Sequence, residues 1–343
     1  MNTALINVDV EIEAILLSCD ESIAEINFER DYEIVYIKQD ELPFKDRIVN
    51  GRGQLSTDYY PSRITNHEMT HDSVGFMCLR KKEMISVPAP EIKLGVSYFN
   101  VDLERIEYLE EYKDKEFEHI NRTISLLQIF TRGDIGVKEI FFTFRYKMMG
   151  LISNTNSMSI DIKDANTIGM EIYKLVAGES EKCNAFIKKY YGDTFELMKN
   201  VVNEFTFGLK QIDDATGFEQ FTTALEMIFL EKNQQGKKEV LSRRVTALLS
   251  SNDTDASNIY KKMKQFYRFR SESLHEGDGS NITKAELDEL ENITRESIKK
   301  YFEVCSNEIN VKPSISWNEI KRTQISRLKS QVLILDSKGI FSV

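Results

Sequence analysis

Residues 261–277 read KKMKQFYRFRSESLHEG, and this stretch decides the fold of the second half of the chain. Met263, Phe266 and Leu274 recur in it at helical spacing. Side chains three and four positions apart lie on one face of an α-helix, so the pattern predicts a helix with a buried apolar stripe. Arg270 falls on that stripe, one turn after Phe266 and one turn before Leu274. We therefore predict a helix that places one guanidinium among apolar side chains.

Other apolar series with helical spacing surround this stretch. Residues 181–211 predict one long helix or two, with Gly192 as the break. Thr283 and Glu286 have the spacing of a capping box, which marks the start of a further helix. Short connections between such helices favour antiparallel neighbours in a bundle. The remaining series are Phe218, Phe221, Leu225 and Ile228; Leu241, Val245 and Leu248; and Leu287, Leu290, Ile298 and Phe302.

The first part of the chain has the alternating pattern of β-strands instead. Residues 116–131 then predict an amphipathic helix, and Val137–Met148 is the clearest strand. The sequence thus predicts an α+β fold: a β-rich domain over residues 1–180, an all-α domain over 181–311 and a helical tail over 312–343. The other strand candidates are Val8–Leu17, Ile23–Ile37, Gly75–Leu79 and Met84–Val87.

The overall charge limits the classes of function. The net charge is -10 and the pI is about 5.2, which excludes a general cationic surface for coating nucleic acid. Residues 257–270 nevertheless contain five basic residues and no acidic one. This segment is either a solvated helix face or a focused positive patch. If RNA is a partner, it must be bound at such a local site.

The cysteines and the apolar runs indicate the cellular compartment in which the protein is expected. Cys19, Cys78, Cys183 and Cys305 are far apart and form no CxxC pair, which argues against a cysteine zinc site and a disulfide framework. A reducing cytosol is the simplest expectation. The sequence shows no signal-peptide pattern and no apolar run long enough to span a membrane. We therefore expect a cytoplasmic protein.

Arg270 and His275 are the residues with the clearest chemical potential. A guanidinium on an apolar stripe must be paired, for example with Glu226, or must face a cleft that receives an anion. Five residues on a continuous helix rotate by about 140°, so Arg270 and His275 converge only near a distorted helix end or across a two-fold dimer. A single His near a helix C-terminus can also simply compensate the helix dipole.

The spacing of these two residues matches a known signature. Arg270 and His275 fit the Rx4–6H pattern of the HEPN superfamily, with four residues between them. Together with the features given last, they resemble the Apea-like HEPN family over roughly residues 184–305. Glu276 is a departure, because the family places Gly directly after the His. The supporting features, in order, are Ala224-Leu225-Glu226, Arg244 before Ala247-Leu248-Leu249, and Tyr267 three residues before Arg270.

The resemblance implies a helical bundle that forms a homodimer, with the motifs of both protomers lining one cleft. It implies a metal-independent endoribonuclease without a cofactor, often a toxin-like effector in anti-phage defence. Arg270 would hold the scissile phosphate, and His275 would transfer a proton. The β-rich domain would sense a trigger or gate the cleft. Supporting or RNA-binding positions would be Tyr267, Ser271, Arg268, Lys264, Glu226 and Arg244.

Two alternatives stay open at this point. The all-α domain could be a non-catalytic module for dimerisation or RNA binding. A zinc-dependent hydrolase is also possible, because His67, Glu68 and His71 form a literal HExxH sequence. A third ligand would be Glu91 or His119. The polar surroundings of the HExxH sequence favour a loop over the buried helix that a zinc protease needs.

Overall fold

The computed structural model describes residues 5–38, 75–88, 107–148, 151–153, 157–161, 172–211, 213–276 and 281–342. The fold is α+β, with an antiparallel sheet near the N-terminus and a C-terminal run of helices. The chain divides into two compact units, residues 1–185 and 186–343. The sequence pattern places this boundary at residue 180 and treats residues 312–343 as a separate tail, whereas the structure groups the tail with the second unit.

The first unit is built on an antiparallel sheet. Its described strands are β1 (Leu5–Leu17), β2 (Glu33–Lys38), β3 (Gly75–Pro88), β4 (Gly136–Met148), β5 (Leu151–Ser153) and β6 (Ser157–Asp161). The strand order is β2-β3-β1-β4-β5, and β6 also pairs with β4. Helix α1 (Glu107–Phe130) contacts β3 and β4, and begins well before the predicted start at residue 116.

The sequence prediction is confirmed for β1 and β4, and it is confirmed in part for two other segments. Residues 23–37 do not form one alternating strand, because Glu29, Arg30 and Asp31 all have positive φ angles that interrupt the extended backbone. The short candidates 75–79 and 84–87 are parts of one continuous strand, β3. The charged run between them hides this continuity in the sequence.

Cross-strand ion pairs hold that charged run in the sheet. Arg80 pairs with Glu13 at 2.9 Å, and Lys82 pairs with Glu11 at 2.7 Å, both on the neighbouring β1. Opposite charges on adjacent strands stabilise the pairing, so a polar run need not end a strand. Among the described residues, none of the helices is long and apolar enough to span a membrane.

The second unit is a bundle of helices. Helix α2 (Glu179–Tyr190) crosses the boundary between the units, and Gly192 separates it from α3 (Asp193–Leu209), so residues 181–211 form two helices. The capping box of Thr283 and Glu286 is confirmed at the start of α7. The other described helices are α4 (Asp214–Phe229), α5 (Lys237–Leu249), α6 (Asp253–Glu276), α7 (Lys284–Val311) and α8 (Trp317–Ser337).

Aromatic side chains fix α6 against α4. The rings of Phe218 and Phe266 meet edge to face with centroids 5.6 Å apart, and both side chains are buried. Such pairs contribute about 0.5–1.5 kcal/mol beyond the area that they bury. Since Arg270 lies one turn after Phe266, this contact sets the position of its guanidinium relative to α4.

Gly208 controls how closely α3 approaches α4. A Cβ atom at this position would lie 2.7 Å from Phe221 Cε1, and Phe221 is itself buried. We expect Gly208→Ala to lower the free energy of unfolding, because overpacking costs about 1–3 kcal/mol and outweighs the better helix propensity of Ala. Denaturant unfolding measures the change. Gly192→Ala is the control, since a Cβ there would meet nothing within 4 Å, and an equal loss in both variants would contradict the prediction.

Candidate active site

Arg270 lies where the buried face of α6 meets the outside of the bundle. Met263, Phe266 and Phe269 are buried, with exposures of 1%, 1% and 5%, and anchor the helix just before it. The Arg270 side chain is 18% exposed. The apolar stripe thus places a guanidinium at the edge of the core, as the sequence predicts for this position.

Glu226 on α4 is the partner of Arg270. Arg270 Nη1 lies 3.2 Å from Glu226 Oε1, and the Tyr267 hydroxyl donates to the same oxygen at 3.1 Å. Lys237 Nζ lies 3.5 Å from the other oxygen, Oε2. The Arg270 guanidinium also lies over the Tyr267 ring, 5.6 Å from its centroid. The Glu226 carboxylate therefore contacts two cations and one phenol.

The cluster of Arg270, Glu226, Tyr267 and Lys237 is only partly shielded from solvent. The Glu226 side chain is 15% exposed, close to the 18% of Arg270, so solvent reaches both partners. The Arg270 Nε is buried and has no hydrogen-bond partner among the described residues. A planar guanidinium has five donors, and the pair with Glu226 leaves some of them for an anion. The ion pair expected from the sequence exists, yet it does not lie in a closed core.

Tyr267 can act as a donor here. Burial raises the pKa of its phenol, and the charge of Glu226 raises it further. The hydroxyl therefore keeps its proton near neutral pH. It can hold Glu226 or a phosphate oxygen in place, but it is a poor proton acceptor.

His275 is the second residue of the signature. The helical backbone of α6 extends through this residue to Glu276. Positions 270 and 275 are thus separated by about 140° of rotation on one continuous helix. The residues that follow, 277–280, lie outside the described residues, so convergence at a distorted helix end and convergence across a two-fold dimer both stay open. On a regular helix, these two positions do not face the same side.

The other predicted positions on α6 are near the surface. Ser271 is exposed, and Arg268 is 58% exposed with its Nε 3.5 Å from Glu272 Oε1. Lys264 is half-buried and lies over the Tyr260 ring, 5.0 Å from its centroid. Their three positions share one face of α6, about 100–160° around the helix from Arg270. They can add positive charge or a hydroxyl on the face of α6 that also carries position 275.

Arg244 has a different environment. It is 5% exposed and donates to the Phe229 carbonyl at the end of α4 and to Glu231 Oε2, the latter at 3.2 Å. Carbonyls in the last turn of a helix lack partners within the helix. Arg244 thus stabilises the end of the helix that carries Glu226, and its buried guanidinium does not face solvent for direct contact with RNA.

Sequence reasoning missed Lys237. It is the first residue of α5 and pairs with Glu226 across the loop that follows α4. No periodic pattern marks it, because it belongs to an exposed polar stretch between two helices. Only the three-dimensional course of that loop brings it to the carboxylate.

The alternative zinc site is tested only at one residue. His67, Glu68, His71 and Glu91 lie outside the described residues. The ring of His119 is buried, with Nε2 2.6 Å from the Phe28 carbonyl, and burial lowers its pKa to about 4. In the described ranges, no group of three or more His, Cys, Asp or Glu side chains is arranged to hold a metal ion.

The cysteines are all free thiols. Cys78, Cys183 and Cys305 are buried, and Cys19 is partly buried. Burial raises the pKa of each thiol to about 12, which makes these groups poor nucleophiles at neutral pH.

Comparison of the chain with known proteins gave no matching family model, no similar curated protein and no similar solved structure.

Proposed function

We propose that this chain is a metal-independent endoribonuclease of HEPN type, with Arg270 and His275 as its catalytic residues. The observation that carries the proposal is the state of Arg270. Its guanidinium is fixed by Glu226 and by the Tyr267 ring, yet the side chain is 18% exposed, so part of it stays open to solvent. A fixed cation with unused donors suits an oxyanion that forms only in the transition state.

The proposed reaction needs no external nucleophile. The 2′-oxygen of RNA attacks the adjacent phosphorus as a base removes its proton, and the bond from phosphorus to the 5′-oxygen breaks. An acid protonates the leaving 5′-oxygen, which yields a 2′,3′-cyclic phosphate and a 5′-hydroxyl. His275 can serve as either base or acid, because the pKa of an imidazole is near neutral. Arg270 stabilises the added negative charge on the phosphoryl oxygens.

The working enzyme is proposed to be a homodimer. Arg270 and His275 lie about 140° apart on α6, so one helix does not readily direct both at the same phosphate. A two-fold axis near α6 would bring Arg270 of one protomer close to His275 of its partner. Two-fold dimers are the most common symmetric assemblies of proteins.

Glu226 has a defined role in this proposal. In the free protein it neutralises Arg270 and Lys237, and a bound phosphate then competes with it for the same donors. We expect Glu226→Gln to raise the affinity for a non-cleavable RNA about 3- to 5-fold, because it removes one unit of like charge a few ångströms from the phosphate. The glutamine oxygen still accepts from Tyr267. Fluorescence anisotropy with a 2′-O-methyl oligonucleotide measures the change.

The control for that substitution is Glu272→Gln. Glu272 lies on the same helix as Arg270, but the cation beside it is the exposed Arg268, whose Nε lies 3.5 Å from Glu272 Oε1. The Glu272 side chain is 27% exposed, so solvent and salt screen its charge and its removal is expected to change the affinity little. Weaker RNA binding by Glu226→Gln than by the wild type would contradict competition between Glu226 and phosphate for the same donors. Glu226 would then be a purely structural partner of Arg270.

A second candidate function is a non-catalytic module for dimerisation or RNA binding. The ion pair between Arg270 and Glu226 favours it, since a paired guanidinium can serve structure alone. RNA binding without turnover would support this alternative over the ribonuclease.

The wider context rests on the family resemblance. We propose a cytoplasmic, toxin-like effector of anti-phage defence, in which the β-rich unit senses a trigger or restrains the active site. A toxin-like ribonuclease would need such restraint, because without it the enzyme would cut the RNA of its own cell.

The reaction type is tested with a defined substrate. Once a cleavage site has been mapped, a substrate with a single 2′-deoxy nucleotide at that site is expected to resist cleavage, because the nucleophile is missing. The matched substrate has the 2′-deoxy nucleotide one position away and is expected to be cut. Cleavage of both at equal rates would overturn the 2′-OH mechanism.

A further inference from the structure

A second feature of the helical unit is a cleft of about 590 Å³ between the end of α4, the following loop and α8. Glu226 lies in its wall, so the cleft adjoins the cluster around Arg270. This volume lies in the range of sites that take small ligands or short segments of a polymer. Its charged lining residues are Lys232, Lys237, Lys321 and Arg322, with Glu226 and Glu231.

Both carboxylates in the lining already have cationic partners. Glu231 lies 3.2 Å from Arg244 and 3.3 Å from Lys329. Glu226 is bound by Arg270 and Lys237, as described above. The carboxylates are therefore neutralised locally. The cleft is a concentration of positive charge in a protein whose net charge is -10.

Lys321 is built into the wall of the cleft. Its ammonium donates to the Met227 carbonyl of α4 at 2.6 Å, and the side chain is half-buried. Arg322, the next residue on α8, is exposed. Lys321 is therefore fixed between α8 and α4, while Arg322 remains exposed to bind an anion. Asn233 and Asn318 add uncharged donors to the same lining.

A second cleft of the same unit gives the contrast. It has a volume of about 680 Å³ between α5, α6 and α7. Lys262 in its wall is bound to Glu289 at 2.7 Å. Its cations and carboxylates are balanced, so it offers no net attraction to a polyanion. Its charged lining residues are Lys261, Lys262 and Lys300, with Asp255, Glu289 and Glu296.

We infer that the cleft between α4 and α8 binds the sugar-phosphate backbone of single-stranded RNA beside the cleavage site. This inference rests on the proposed function, because the strand would enter the cleft and reach Arg270 past Glu226. Phosphates would contact Lys232, Lys237 and Arg322. Backbone contacts of this kind position a strand without reading its sequence. A cleft of this size suits a single strand rather than a duplex.

The test measures binding apart from cleavage. The full chain is titrated with a fluorescent 2′-O-methyl oligonucleotide at several salt concentrations. Lys232→Gln with Arg322→Gln is expected to weaken binding about 10-fold and to reduce the slope of log affinity against log salt by about 1.4, about 0.7 for each phosphate contact with a single strand. Both side chains are exposed, so the fold is unaffected. The control is Lys261→Gln with Lys300→Gln, which removes the same charge from the balanced cleft.

Each outcome decides a different point. Selective loss of affinity in the Lys232 and Arg322 variant supports the cleft, even if the wild type cuts no RNA, in which case only the ribonuclease proposal fails. Unchanged affinity in that variant overturns the proposal that the cleft binds RNA, even if the wild type cuts RNA through Arg270. An equal loss in the control variant, or no binding by the wild type, also overturns it.

Discussion

Arg270→Ala is expected to lower the rate of RNA cleavage by about 10²–10³-fold, equivalent to about 2.7–4 kcal/mol of transition-state stabilisation. The reason is that the guanidinium supplies fixed donors to the phosphoryl oxygens when their charge increases. The fold is expected to remain, because Glu226 keeps Lys237 and Tyr267 as partners and is not left as an isolated buried charge. Initial rates on a defined RNA, together with an unfolding curve, measure both effects.

Arg270→Lys is the matched control for this substitution. It keeps the positive charge but loses the planar fork and the stacking over Tyr267. We expect activity between those of Arg270→Ala and the wild type. Wild-type rates in Arg270→Ala would contradict the assignment of Arg270 as a catalytic residue.

The second large effect concerns stability. Arg295 on α7 is 2% exposed and is paired with Glu291, one turn earlier. Its guanidinium also lies over the Phe205 ring, 5.4 Å from the centroid. We expect Arg295→Met to lower the free energy of unfolding by about 3–5 kcal/mol, because it leaves the Glu291 carboxylate buried without its cation. Denaturant unfolding monitored by circular dichroism measures the loss.

Two further variants isolate the cause. Replacing both Arg295 and Glu291 by apolar residues is expected to recover much of the stability, since no buried charge remains. Lys299→Met breaks the pair with Glu296 on the same helix, where the side chains are 27% and 43% exposed, and is expected to cost at most about 1 kcal/mol. Equal losses for Arg295→Met and Lys299→Met would contradict this account.

Local rules of the sequence predicted most of the helical unit. Apolar spacing found the helices because each buries one face, and the capping box marked the start of α7 correctly. The β-rich unit was predicted less well. The charged run in β3 is stabilised by partners on β1, and the positive φ angles at residues 29–31 interrupt a pattern that otherwise alternates. Both effects depend on contacts or backbone angles that a local pattern does not contain.

The candidate active site was also predicted only in part from the sequence. The position of Arg270 on the apolar stripe left two alternatives, a pair with a carboxylate such as Glu226 or a cleft for an anion, and the structure has the pair with Glu226. Lys237 and the cleft beside α8 were missed, because they depend on a loop and a tail helix that fold back onto α4. The burial of Arg244 was also missed, since periodicity alone does not tell a surface arginine from one bound to a helix end.

The most direct test of the central claim is cleavage of a mixed RNA pool by the purified protein in excess EDTA, with Arg270→Ala and His275→Ala in parallel. The account predicts that the wild type leaves 2′,3′-cyclic phosphate ends despite EDTA, and that both variants lose at least about 100-fold in rate. Cleavage that EDTA abolishes and zinc restores would contradict it and favour the alternative site at His67 and His71. Equal cleavage by the wild type and both variants would contradict it as well.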